Sequence, residues 1–555
     1  MNRLLACASG LLLLAACDNA QETTAPVEET PAPNGAITTQ ALSAHIQILA
    51  SDAFEGRAPA TPGEDKTVAY LAEKFAQAGL QPGVGDSYFQ EVPLVEITAA
   101  PSAELSVAGE DATERFGYWD DVIVWTKRVV GRAEVLDSDM VFVGYGIVAP
   151  EYGWNDYDGI DVTGKTVVML VNDPGFATGD SALFNGRAMT YYGRWTYKFE
   201  EAARQGAAAA IVVHEDAPAA YPWGVVTSSW SGPQLDLQRP DDNASRAAIE
   251  GWISAPAAER LLAMAGLDLA GVHAAAIEPD FKPIPLGLTA SVAVDNTVRR
   301  SSSKNVIAVL PGAERPDETV LYMAHWDHLG RDPKQDGDQI YNGALDNATG
   351  LGGLLELAEA FAALDRPPAR SVVFAAWTAE ESGLLGSAHY AENPPFPLDR
   401  TVAGINMDGL NIYGRMHDIT VIGYGASELE VELAAAAATQ RRVVRPEPTP
   451  ERGYFYRSDH FNLAKKGVPV LYTANGIDHV EHGPDWTLRQ QEAWIAAHYH
   501  KPSDEYDPAW DLTGAVDDLE LLFAVGHGLA ASDRWPNWND GNEFRAARDA
   551  ARPDG

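Results

Sequence analysis

The heptapeptide AHWDHLG, residues 324–330, places two imidazoles and a carboxylate, His325, Asp327 and His328, within four positions of one another, directly after the apolar run VLYM. Further donors follow in order: Asp346 in YNGALDNATG, the Glu380–Glu381 pair after VVFAAWTA, Asp408 after VAGINM, and His500 in AHYHKPSDEYD. If these side chains gather, mutual repulsion and the cost of removing charge from water would oppose folding unless cations sit among them. Mixed imidazole and carboxylate donors suit zinc, and one shared carboxylate suits a pair of ions a few ångströms apart.

Each of these groups lies where an apolar run stops. NVIAVLPG, TVLYMAHW, RSVVFAAWT, TVAGINMDG and VPVLYTANG read as strands, and GLGGLLELAEAFAAL and LEVELAAAAATQ as helices between them. Continuous rather than alternating apolar runs imply strands covered on both faces. The fold class expected is therefore α/β, a mixed and largely parallel sheet sandwiched by helices. In open sheets of this kind ligands bind beyond the carboxyl ends of the strands, so one sheet edge can collect all of the donors. Upstream, ALSAHIQILA and EDKTVAYLAEKFAQAGL have helical spacing, with Thr61-Pro62-Gly63 as a start signal and Gly79 as a stop. From about residue 135 short β-rich runs, DMVFVGYGIV, KTVVMLV and AAAAIVVHE, enclose one helix, YKFEEAARQG, and indicate a compact inserted module.

The chain has 555 residues, 46% of them hydrophobic, which supports a buried core. With 79 acidic against 40 basic residues the formal charge is −39, a surface that repels phosphates and argues against nucleic-acid binding. At the N-terminus, Arg3 precedes LLACASGLLLLAA, too short to span a bilayer and shaped like a secretory signal. It ends in LAAC, which looks like a bacterial lipobox with Cys17 as the lipid-modified first residue of the mature chain. The expectation is an exported protein, lipid-anchored to a bacterial membrane and facing periplasm or exterior. Residues 18–36, rich in Pro, Thr and Glu, read as a flexible tether. The division expected is a signal at 1–17, the tether at 18–36, a catalytic unit at 37–134 and 291–535, the insertion at 135–290, and a tail at 536–555.

HWDH, ALDNATG, AEESGLLGS, NMDG, RSDHF with GVPVLY, and YHKPSDE, taken together, resemble the motifs of the co-catalytic zinc peptidases related to bacterial leucyl aminopeptidase and glutamate carboxypeptidase II. ILASDAFEGRAPATPGEDKTVAYL is similar to that family's lead-in, and residues 135–290 resemble a protease-associated (PA) domain, which would cap the cleft. The resemblance implies two zinc ions per chain and the fold of a zinc exopeptidase. His325 and Asp408 would hold one ion, Glu381 and His500 the other, and Asp346 would bridge both. It further implies that Asp327 orients the His325 ring, that Glu380 is the general base acting on a zinc-bridged water, that Tyr499 stabilises the oxyanion, and that Arg457 lies near the substrate. His328 is expected to line the cleft or to form a hydrogen bond, and Asp459 and His460 to shape the pocket. Residues 476–498 either wall the pocket or form a surface excursion, and RWPNWND reads as packing or surface. The activity implied is release of N-terminal residues from peptides, with a carboxypeptidase as the alternative and a non-catalytic binding protein as the competing class.

Overall fold

A computed structural model describes residues 37–100 and 103–552. The signal sequence, Cys17 and the tether lie outside the described residues. The main sheet is built on four parallel strands in the order Arg370–Trp377, Arg315–His325, Thr401–Asn406, Val470–Asn475. Ile284–Leu310 flanks them antiparallel on one side, and Asp418–Val421 pairs antiparallel with Val470–Asn475 on the other. The mixed, largely parallel sheet expected from the apolar runs is therefore present.

Both faces of this sheet are covered. Along Arg315–His325, Val320, Tyr322 and Ala324 join the core formed with helices Thr39–Leu49, Thr349–Ala362 and Thr513–Ala531. Leu321 and Met323 join a second core with Tyr390, Phe461 and Trp538. Alternate side chains thus meet different apolar layers, and that is why the sequence shows no polar face. Thr61 caps the helix Pro62–Gln77 by accepting from Gly63 N, and the chain leaves that helix through Gly79 at φ 85°.

The inserted module begins earlier than its change of texture suggests. Leu105–Ala108, Thr113–Phe116 and Val122–Trp125 belong to the second sheet, where they join Arg132–Phe142, Thr166–Leu170, Ala209–His214 and Ile249–Ser254. The strand Ile284–Leu310 serves both sheets: residues 284–295 pair with Arg132–Phe142 and residues 296–306 with Phe89–Ala99. Pro233–Leu237 crosses back to pair with Phe89–Ala99. Boundaries at 134/135 and 290/291 thus do not follow the sheets, because antiparallel pairing over long sequence separations leaves no local mark. The C-terminal segment is also less separate than expected. Trp538 is fully buried, and Arg548 donates to the carbonyls of Thr401 and Val402 on a central strand. No helix among the described residues is long and apolar enough to cross a membrane.

Candidate active site

His325 ends the central strand, and its Nε2 lies 3.2 Å from Asp346 Oδ1 and 3.4 Å from Asp408 Oδ1. On the other side of Asp346, His500 Nε2 lies 3.3 Å from Asp346 Oδ2 and 3.1 Å from Glu381 Oε2. Asp346 thus offers one oxygen to each of two groups of donors. Each ring nitrogen faces two carboxylates at nearly equal distance, so a single N–H would have to be shared between them. Ligands about 2.0–2.2 Å from a tetrahedral zinc sit about 3.3–3.6 Å from one another, close to the separations seen here. The donor set and its spacing fit a pair of zinc ions.

His328 is fully buried, and its Nδ1 donates to Glu381 Oε1 at 2.6 Å. The ligand atoms of His328, Asp346 and Glu381 lie within 4.8 Å of one another. A separation of 2.6 Å is too short for two ligands of one tetrahedral ion and normal for a charge-assisted hydrogen bond. His328 therefore orients Glu381, while His500 has the spacing of a ligand. His500 adopts φ 55°, a left-handed conformation disfavoured for a side chain with a Cβ, just after the helix Pro484–His498 ends.

Asp327 does something other than expected. The His325 ring nitrogen Nδ1 bonds the backbone carbonyl of Asp327 at 3.1 Å, whereas the Asp327 carboxylate stands 3.8 Å away. That carboxylate instead accepts the backbone N–H groups of Glu380 at 3.0 Å and Glu381 at 3.3 Å. It fixes the turn at which the two glutamates part. Burial, reinforced by Glu381 and opposed by His325, pushes the Asp327 carboxyl up to about 7. Burial, with His325 opposing and Asp408, Glu381 and Asp459 reinforcing, holds Glu380 well above the usual carboxylate range.

Two residues hold the Asp346 loop. Asn347 donates to Met407 O and accepts from Gly350 N and Gly409 N, each at 3.0 Å, which fastens Asp346 beside Asp408. Gly350 is required here, since a Cβ would lie 2.2 Å from Asn347 Oδ1 and 2.7 Å from Met407 O. Asp504 accepts from Leu345 N at 2.9 Å and Asp346 N at 3.2 Å. Both residues stand in quoted motifs, ALDNATG and YHKPSDE, but their backbone partners are not readable from spacing.

Glu380 and Glu381 line a cavity of about 970 Å³, together with Tyr499, Arg457 and, from the inserted module, Arg194 and Trp195. Tyr499 is half-exposed, with its ring stacked 3.9 Å from that of His500. Arg457 lies over the Tyr454 ring, and its Nε and Nη2 have no hydrogen-bond partner. Arg194 is buried, its Nε is equally unpartnered, and burial together with the charge of Arg457 pushes it down to about 9. Asp459 accepts from Ser387 Oγ at 2.5 Å, and His460 packs between Phe455 and Tyr472. Among residues 476–498, His479 and His482 stack on each other and lie tilted against Trp486, with neither in a metal-donor group.

Residues 305–524 match the model of Peptidase family M28. The matched stretch contains every candidate donor from His325 to His500. It is 36% identical over 138 residues to aminopeptidase NAALADL1 of Mus musculus, covering 23% of this chain and 17% of that protein. It is 33% identical over 195 residues to a glutamate carboxypeptidase 2 homolog of Caenorhabditis elegans, covering 34% and 24%. The matches span a quarter or less of these curated relatives. Among solved structures, an aminopeptidase from Aneurinibacillus sp. strain AM-1 superposes with a TM-score of 0.47 at 21% identity, covering 88% of this chain and 93% of that one.

Proposed function

We propose that the chain is an exported di-zinc exopeptidase that hydrolyses terminal peptide bonds, with Glu380 as general base. The observation that carries this reading is Asp346, one carboxylate facing His325 and Asp408 with one oxygen and His500 and Glu381 with the other. His325 and Asp408 would hold one zinc, Glu381 and His500 the second, and Asp346 both. When bound, such a pair supplies Lewis acidity toward water and the scissile carbonyl. Glu380 is held by its backbone N–H on Asp327 with its side chain lining the cavity, so its carboxylate takes a proton from the attacking water and passes it to the leaving amine. Tyr499, at the cavity wall, donates to the developing oxyanion. The inserted module, read as a PA domain, supplies the facing wall and limits the size of peptide admitted. Lipid on Cys17 tethers the enzyme to the membrane, which places its substrates outside the cytoplasm.

Release of N-terminal residues is the first reading, supported by the acidic groups around the donors, which suit a free amine. One observation favours a carboxypeptidase as the second. Arg194 and Arg457 put two guanidinium groups into the same cavity, and neither has a salt-bridged carboxylate among the described residues. Buried unpaired charges of like sign are costly, and a substrate carboxylate would relieve both. A single set of peptides decides the matter: free or acetylated at the amine, free or amidated at the carboxyl, offered to wild type, Glu380→Gln and Arg194→Ala. Glu380→Gln is expected to keep its metal and lose about 10²–10⁴-fold in kcat. A metal-loaded Glu380→Gln with near-normal turnover refutes the base assignment. Loss of cleavage on acetylation makes the enzyme an aminopeptidase. Loss on amidation, with Arg194→Ala no longer distinguishing acid from amide, makes it a carboxypeptidase.

A further inference from the structure

Arg57, in ASDAFEGRAPA, lies far from the metal donors in sequence and outside the residues matched to the peptidase family. It is fully buried, 0% exposed. Its guanidinium donates to four backbone carbonyls: Trp326 O from Nε at 2.9 Å, Leu49 O and Asn342 O from Nη1 at 2.7 and 2.6 Å, and Gly343 O from Nη2 at 2.8 Å. Its own carbonyl accepts from His328 N at 3.3 Å. Trp326 stands between His325 and Asp327, and Gly343 stands three residues before Asp346. One planar group therefore spans the two backbone segments whose separation sets the distance from His325 to Asp346.

The local backbone is bent to bring this about. Glu55, Gly56 and Arg57 have φ 53°, 68° and 51°, three left-handed residues in succession. Only the glycine is free of the Cβ penalty, and a Cβ there would lie 2.3 Å from Gly330 O. Strain at residues that contact no substrate is retained when something else depends on it. The charge matters as well. Arg57 bonds only neutral carbonyls, yet the fields of Asp504, Asp346, Asp327 and Glu381 all reach it and counter the effect of its burial. It is a permanent cation set behind the carboxylates that the two metal ions would otherwise have to neutralise alone.

We infer that Arg57 is a positioning residue, holding the segment after His325 and the loop before Asp346 at metal-binding separation before any ion arrives. This rests on the metal-site reading above, and its test is separable from it. Lysine keeps the charge but not the planar fork, so it cannot reach four carbonyls at once. In chelator competition, Arg57→Lys is expected to be folded by circular dichroism, to bind at least one zinc tenfold or more weakly than wild type, and to regain turnover when zinc is raised. A folded Arg57→Lys that binds both zincs with wild-type affinity overturns the inference, whatever its melting temperature. The second measurement needs no variant: amide exchange of metal-free wild type. The amides of His328, Ala344, Leu345 and Asp346 should be protected as strongly without zinc as with it, and exchange at open-loop rates until zinc is added would overturn the inference. A wild type that binds no zinc would sink the metal assignment, while comparing exchange at these amides between metal-free wild type and Arg57→Lys would still decide whether Arg57 orders the loop: faster exchange in the folded variant supports it, and equal protection overturns it.

Discussion

Asp327→Asn separates two roles for a residue that sequence resemblance and structure describe differently. If Asp327 served through its carboxylate to orient the His325 ring, the substitution would first damage the His325 side of the site. The structure gives that task to the Asp327 backbone carbonyl, 3.1 Å from the ring nitrogen, which the substitution leaves in place. The carboxylate holds Glu380 N and Glu381 N at 3.0 and 3.3 Å. Asparagine keeps one acceptor oxygen, so one of these bonds becomes neutral and the other N–H faces a donor. Charge-assisted hydrogen bonds contribute about 1.5–3 kcal/mol and neutral ones about 1 kcal/mol, so the combined loss is about 2–5 kcal/mol. If the whole loss falls on the turn that aims the two glutamates, kcat/KM drops about 30- to 5,000-fold. The zinc on the Glu381–His500 side should weaken, while the one on the His325–Asp408 side should stay. Metal content across graded chelator concentrations, measured beside kcat/KM on one peptide, tests this. Two outcomes refute the reasoning: kcat/KM within threefold of wild type with both metals retained, or loss of the His325-side metal first.

Asp346→Ala should strip both metals, because the lost carboxylate serves each group of donors; a purified variant still carrying two equivalents of zinc would exclude the bridging role. His460 is pushed down to about 3 by burial, so the unfolded chain, with an ordinary histidine near 6.5, binds this proton more readily. Its contribution to stability is intact above pH 6.5 and is lost as pH falls toward 3, with a slope of up to about 1.4 kcal/mol per pH unit. His460→Met should therefore show a shallower fall in melting temperature between pH 6.5 and 4, and parallel profiles would count against it. Cys17→Ser should move the protein expressed in bacteria from the detergent phase to the aqueous phase on Triton partition; unchanged partition would rule out the lipid anchor.

The central strands, the helices beside them and the candidate donors were legible in the sequence for one physical reason. A strand buried on both faces must be apolar throughout, so a charged or imidazole group can appear only where the strand stops, and His325 and Asp408 are visible as interruptions of apolar runs. The flanking helices announce themselves by local spacing and by caps such as Thr61. What the sequence concealed was everything carried by backbone partners. Nothing in the spacing says that Asp327 grips the Glu380–Glu381 turn, that Asn347 ties Asp346 to Asp408, or that His328 steers Glu381. Arg57 is the extreme case, a buried cation joined to carbonyls more than 260 residues away in sequence. The module boundary at 135 shifted for the same reason, because Leu105–Ala108 finds its partner in Ile284–Leu310. Side-chain chemistry is written residue by residue, so the kinds of donor present were determined by the sequence alone. Their separations depend on hydrogen bonds to main-chain atoms that every residue possesses, and only the tertiary structure decides which of those atoms meet.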